Sequence, residues 1–105
     1  MRREHLDPLT VEHAVDLLSC MAHPIRLAVL LRLHRVGPAH VSLLRDELGV
    51  EQSALSHHLR LLRDARLVVG ERAGKQVVYR LQDAHVGCIV EDTVNHAAEP
   101  RREQP

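Results

Sequence analysis

The chain has 105 residues, fourteen Lys and Arg balanced by fourteen Asp and Glu, and 45% apolar residues, with Tyr79 its one aromatic. A chain this short makes one domain with a marginal core that a partner surface would supplement. No apolar run reaches the ~20 residues of a bilayer span. The start MRREHLDPLT lacks the apolar stretch of a secretory signal, and Cys20 and Cys88 have no C-x-x-C spacing. Membrane, disulfide-scaffold and zinc-finger classes are therefore set aside, and a cytoplasmic location is expected.

In chain order, Asp7-Pro8 or Thr10 opens a first helix that ends near Ala22, with Val11, Ala14, Val15, Leu18 and Met21 on one face. Pro24 suits the first turn of a second helix, PIRLAVLLRLHRV. It is apolar on most sides, stops at Gly37-Pro38 and reads as the core helix. VSLLRDEL (41–48) makes a short third helix, and Gly49 supplies a left-handed turn before EQSALSHHLRLLRDA (51–65) makes a fourth. Two helices joined by a tight glycine turn are the helix-turn-helix signature.

On the fourth helix Leu55, Leu59 and Leu62 form an inward stripe, leaving Ser53, Ser56, His57 and Arg60 outward at i, i+3, i+4 and i+7. His58 falls beside the leucine face and reads as a packed histidine. Residues 67–81, LVVGERAGKQVVYRL, alternate as two strands around Ala73-Gly74-Lys75, a hairpin with a basic tip. A fifth helix runs from 83 to about 98 with Asp83 as its N-cap, and the tail EPRREQP is polar.

The zero net charge hides a division by position. Residues 52–82 carry Arg60, Arg63, Arg66, Arg72, Lys75 and Arg80 against Asp64 and Glu71, six minus two, or +4. Residues 83–105 carry five acids against Arg101 and Arg102, or −3. The basic surface coincides with the helix-turn-helix and hairpin, so duplex DNA is the expected partner. Gln52, Ser53, Ser56, His57 and Arg60 suit base edges in the major groove, and Arg72 and Lys75 suit phosphates. Small polar residues at the start of the fourth helix would also turn its positive dipole end toward the backbone. Single strands are disfavoured, because aromatic stacking platforms are missing. The expected fold is mainly α with a β-hairpin wing, a winged helix-turn-helix occupying residues 1–105.

The stretches QSALSHHLRLLRDARLVVGERAGKQVVYRL and AHPIRLAVLLRL resemble the ArsR/SmtB family of winged-helix transcriptional regulators, over about residues 14–99. The resemblance implies a homodimer on operator DNA that leaves it when an inducer, commonly a metal ion, binds. The helix and wing look most similar to actinobacterial nickel or zinc sensors of that family.

The fifth helix carries Asp83, His85, His96 and Glu99, ligand-type side chains spaced D-x-H, ten residues, H-x-x-E. His85 and His96 return to nearly the same face but stand ~16 Å apart along the axis. Ligand atoms lie ~2.0–2.2 Å from a metal such as zinc, so one helix cannot close the set. An antiparallel twin can: Asp83 and His85 of one subunit meet His96 and Glu99 of the other, giving two sites per dimer. Val86, Ile89, Val90, Thr93 and Ala97 offer an apolar strip for that pairing.

In the resembling family the last-helix metal site has the pattern D-x-H, ten residues, H-x-x-[HE], which these four residues match. The thiolate site of other members is missing, since residues 41–50 hold no cysteine. Arsenic, antimony, cadmium and lead sensing by that route is accordingly not expected. Two imidazoles and two carboxylates suit tetrahedral zinc, whereas nickel takes more ligands, for which His5 is a candidate.

Two alternatives are open. A winged-helix repressor switched by thiol chemistry would sense through Cys20 and Cys88. A small zinc enzyme would use the carboxylates and histidines catalytically, but four ligands close the coordination sphere and no general base stands beside them.

Overall fold

A computed structural model describes residues 7–101. Its elements are α1 (Pro8–Met21), α2 (Pro24–Val36), β1 (Ala39–His40), α3 (Val41–Leu48), α4 (Gln52–Asp64), β2 (Val68–Ala73), β3 (Gln76–Leu81) and α5 (Ala84–Ala98). Local chemistry sets the helix ends. Pro8 and Pro24 stand in first turns, where no backbone N–H is needed. The Asp7 carboxylate accepts from the Thr10 amide at 3.3 Å, and His23 Nδ1 accepts from that of Ile25 at 3.1 Å. Gly49, at φ 64°, ends α3 in the left-handed conformation and lets the chain turn directly into α4.

The core is a leucine and valine cluster. Val29, Leu30 and Leu33 of α2 face Leu44 of α3 and Leu55, Leu59 and Leu62 of α4, all buried. Val68 and Tyr79 close it from the sheet, with Leu67 from the turn just before β2. Each fully buried leucine contributes about 1.5–3 kcal/mol, so α2 and α4 carry much of the stability.

Three features depart from the sequence reading. The hairpin has a third strand: β1 pairs antiparallel with β3, Ala39 opposite Tyr79 and His40 opposite Val78, giving the order β1-β3-β2. Two residues are too few to show a strand period in sequence.

On α1, only Met21 of the five apolar residues sharing a face is buried. Val15 and Leu18 are 53% and 54% exposed, because that face turns away from the chain's own core. On α5, Val86 and Val90, expected in the strip facing a second chain, instead pack into the core of the same chain, while Ile89 stays exposed. The cause is the docking of α5 on α2, where Gly87 admits the His34 ring and Arg35 holds Glu91 with two hydrogen bonds of 2.9 and 2.6 Å.

The apolar surface that remains runs along α1 and α5 and includes Leu9, Val11, Val15, Leu18 and Ile89. A groove of about 290 Å3 between Leu18, Met21, Leu27, Ile89 and Thr93 lies in it. Among the described residues no single helix is long and apolar enough to cross a membrane.

Candidate nucleic-acid interface and metal-ligand pairs

Helix α4 is built to present one face. With Leu55, Leu59 and Leu62 buried, Ser56, His57 and Arg60 are all exposed on the opposite side. Gln52 and Ser53 are exposed too, but their side chains are engaged. Arg45 donates to the Gln52 amide oxygen at 2.7 Å, and the Ser53 hydroxyl donates to Glu51.

Glu51 is the N-cap of α4, accepting from the amides of Ser53 at 3.1 Å and Ala54 at 3.2 Å. Hydrogen bonds from the Ser53 side chain and then from these amides hold its carboxyl below the usual range. A carboxylate thus caps the positive end of α4 that the sequence reading turned toward the DNA backbone, and offsets part of its charge. Ser56, His57 and Arg60 are the exposed polar side chains of this face that follow the cap, and Gln52 is fixed in orientation by Arg45.

The wing turns at Gly74-Lys75, with Gly74 at φ 65° and Ala73 paired to Gln76. Arg72 and Lys75 are exposed at its tip, whereas Arg80 is tied to Glu71 at 2.8 Å. A cavity of about 300 Å3 between wing and helices is lined by His40, Ser42, Gln52, Lys75, Gln76 and Tyr79. The sequence reading gave His40 only a surface or packed place and Ser42 none. His40 caps α3 by accepting from the Leu43 amide at 3.2 Å, and the Ser42 hydroxyl lies 2.7 Å from its Nδ1. A polar residue just before VSLLRDEL was the signal available for it.

On α5 the four ligand-type residues form two separate pairs. Asp83 Oδ1 caps the helix, accepting from the amides of His85 at 2.9 Å and Val86 at 3.3 Å, and lies 3.3 Å from His85 Nδ1. At the other end Glu99 Oε2 lies 3.6 Å from His96 Nδ1. All four side chains are exposed, and they do not come together within one chain. Among the described residues no cluster of three or more His, Cys, Asp or Glu is able to hold an ion. His5 lies outside the described residues.

The thiols differ in setting. Cys88 is exposed on α5. Cys20 is half-buried with its sulfur 3.7 Å from the Leu61 carbonyl, and burial pushes its thiol up, away from the reactive thiolate.

The sequence α3, left-handed glycine, polar-faced α4 and basic-tipped hairpin, all on a leucine core, defines a winged helix-turn-helix DNA-binding domain. A family model described as a helix-turn-helix domain matches residues 21–71. The transcriptional regulator NmtR of Mycobacterium tuberculosis is 42% identical over 92 residues, 88% of this chain and 76% of that protein. The transcriptional repressor SmtB of the same organism is 44% identical over 89 residues, 85% of this chain and 65% of its own length. Among solved structures, the transcriptional repressor BigR of Xylella fastidiosa superposes with a TM-score of 0.82 at 29% identity, over 95% of this chain and all of that one. Apo-NmtR superposes with a TM-score of 0.72 at 37% identity, over 94% and 86% of the two chains. The chain belongs to the ArsR/SmtB family of winged-helix transcriptional regulators.

Proposed function

We propose that the chain is a metal-responsive transcriptional repressor, a homodimer on duplex operator DNA that is released by Ni(II) or Zn(II). The observation that carries this reading is the pair of exposed acid–imidazole couples, Asp83 with His85 and His96 with Glu99, at opposite ends of one 15-residue helix. Each couple alone is half a coordination set. Antiparallel pairing of two α5 helices completes two sets by symmetry, and the uncovered apolar surface of α1 and α5 supports that pairing.

The donors fit such an ion. Two imidazole nitrogens and two carboxylate oxygens suit zinc or, with additional ligands, nickel. The capping bonds of Asp83 fall on Oδ1, so the residue can end the helix and still turn Oδ2 to a metal. Bound there, the ion would supply a fixed bridge between the two chains.

DNA contact is assigned to Ser56, His57, Arg60 and Gln52 on α4 and to Arg72 and Lys75 on the wing. Ser53 has the lesser part, because its hydroxyl serves Glu51. The dimer offers two α4 helices to successive major-groove segments ~34 Å apart, and a bridge between the α5 helices shifts that separation. Linkage requires the effect to be mutual, so operator DNA weakens metal binding by the factor that metal weakens DNA binding.

The test is a mobility shift of the protein on its own upstream DNA, with and without stoichiometric Zn(II) or Ni(II), repeated for His96→Ala. Release of the wild-type protein by metal and a metal-blind His96→Ala protein are expected. Equal DNA affinity of apo and metal-loaded wild type would remove the switch and leave the DNA binding standing.

A further inference from the structure

Two side chains that none of these roles uses, Arg26 and His58, meet where the α1–α2 turn faces α4. Arg26, in the first turn of α2, spans two other elements. Its Nε donates to the Cys20 carbonyl at 2.6 Å, and its Nη1 lies 3.1 Å from Nδ1 of His58. The Cys20 carbonyl belongs to the last turn of α1, where a helix runs out of backbone donors. His58 sits on α4 next to His57 and two positions from Ser56 and Arg60. The His23 ring packs on that of His58 with centroids 4.4 Å apart, and the His57 ring lies at 5.6 Å.

A guanidinium donates and never accepts, so His58 Nδ1 must be the accepting nitrogen and its proton must sit on Nε2. We propose that Arg26 is a positioning residue for DNA recognition, a link that holds α4 against the end of α1 only while His58 is neutral. This rests on the reading of α4 as the helix that meets DNA. Protonation at Nδ1 removes the acceptor and sets an imidazolium beside a guanidinium at 3.1 Å.

The groups facing His58 do not compensate. They are Arg26 and the N-cap His23 from α2 and His57 from α4 itself, while the Cys20 thiol of α1 faces Arg26. Among the described residues no carboxylate pairs with Arg26 or His58. Burial pushes the His58 imidazole below the ordinary histidine value, and His23, Arg26 and His57 add to the effect. Acidification therefore releases the link, and DNA affinity falls with it.

Protonation of exposed histidines near phosphate acts the other way, raising DNA affinity as pH falls, so the test needs an internal reference. His58→Asn provides one, because its Oδ1 keeps an acceptor near the Nδ1 position and cannot titrate. The affinity of wild type, His58→Asn, Arg26→Gln and Arg60→Ala for one fixed duplex is to be measured by fluorescence anisotropy from pH 8 to pH 5.5, with circular dichroism on each. Wild type and His58→Asn should match at pH 8, and wild type should become weaker than His58→Asn by about threefold or more at pH 5.5. Arg26→Gln should bind less well already at pH 8.

A wild-type to His58→Asn ratio that stays constant over the range overturns the proposal, as does undiminished binding by a folded Arg26→Gln. If Arg26→Gln does not fold, the wild-type and His58→Asn comparison decides alone. Unchanged binding by Arg60→Ala removes the reading of α4 and the link with it. A weakened Arg60→Ala beside a flat ratio removes only the link.

Discussion

The ring of His34 occupies the space into which a side chain at Gly87 would grow: a Cβ there would meet Nδ1, Cε1 and Cγ of the ring inside van der Waals contact. This contact lies in the seam between α2 and α5, which the Arg35–Glu91 pair also bridges. Alanine is a better helix former than glycine by roughly 0.5–1 kcal/mol, so two effects compete at this position. Gly87→Ala should destabilise wild type by about 1 kcal/mol because the ring must be displaced. In a His34→Ala background the same change should stabilise by about 0.5–1 kcal/mol. Urea unfolding at one protein concentration reads both, and an equal effect in the two backgrounds would show that the seam has slack.

Arg66 carries a left-handed backbone, φ 59°, where α4 ends and the chain turns into the sheet. The Leu67 amide bonds the Leu62 carbonyl at 2.9 Å, a closure that usually has glycine in this place. Arg66→Gly should raise stability by about 0.5–1 kcal/mol, the relief of the Cβ clash less the flexibility gained by the unfolded chain. A lower melting temperature would mean that the arginine side chain contributes more than its backbone costs.

Hydrogen bonds from Arg35 hold the Glu91 carboxyl below its ordinary value of 4.5. A depressed carboxyl favours the folded state above that ordinary value, and the benefit disappears as pH falls from about 4.5 through the folded value. The difference in melting temperature between wild type and Glu91→Gln should therefore be present at pH 7 and shrink by pH 3.5. A difference that persists at pH 3.5 would assign it to packing rather than charge.

If each metal set draws on two chains, a chain lacking Asp83 and His85 and a chain lacking His96 and Glu99 should each bind no Zn(II) alone. Mixed as a heterodimer, they regain one complete set. About one ion per mixed dimer is expected from the symmetry of an isologous interface, read by competition with a chromophoric chelator. Recovery of nothing on mixing would exclude sets shared between chains.

Leu18 stands 54% exposed beside the groove that ends at Ile89 and Thr93. Leu18→Asp puts a charge into that apolar surface without touching the core or the wing. Sedimentation should show a dimer for wild type, as proposed, and a single chain for Leu18→Asp, with helical content retained and metal binding lost. A dimeric Leu18→Asp protein would place the assembly surface elsewhere.

The sequence was most legible where one residue type has one physical use. Pro24 and Gly37 bounded α2, Gly49 marked the turn between α3 and α4, and the Leu55, Leu59 and Leu62 spacing gave the buried face of α4. It was least legible where partners come from distant segments. Val86 and Val90 have the same chemistry as Ile89, and only the seat of α5 on α2 divides them between the chain's own core and its surface. Glu51 was overlooked as a cap because a glutamate at that position has the composition of an ordinary solvated residue, and its bonds to Ser53 and Ala54 appear only in three dimensions. The pairing of His58 with Arg26 spans 32 positions of sequence and leaves no periodic trace, although the packed character of His58 was readable from its place beside the leucines.

The two-residue strand Ala39–His40 joins the segment ahead of α3 to β3 of the hairpin. Its pairing ties the middle of β3 to the segment that opens α3, so the hairpin is braced against the helix-turn-helix. If two such chains pair on DNA, an operator whose half-sites are moved apart by one base pair should lose affinity, because neither hairpin nor helix can re-aim by itself.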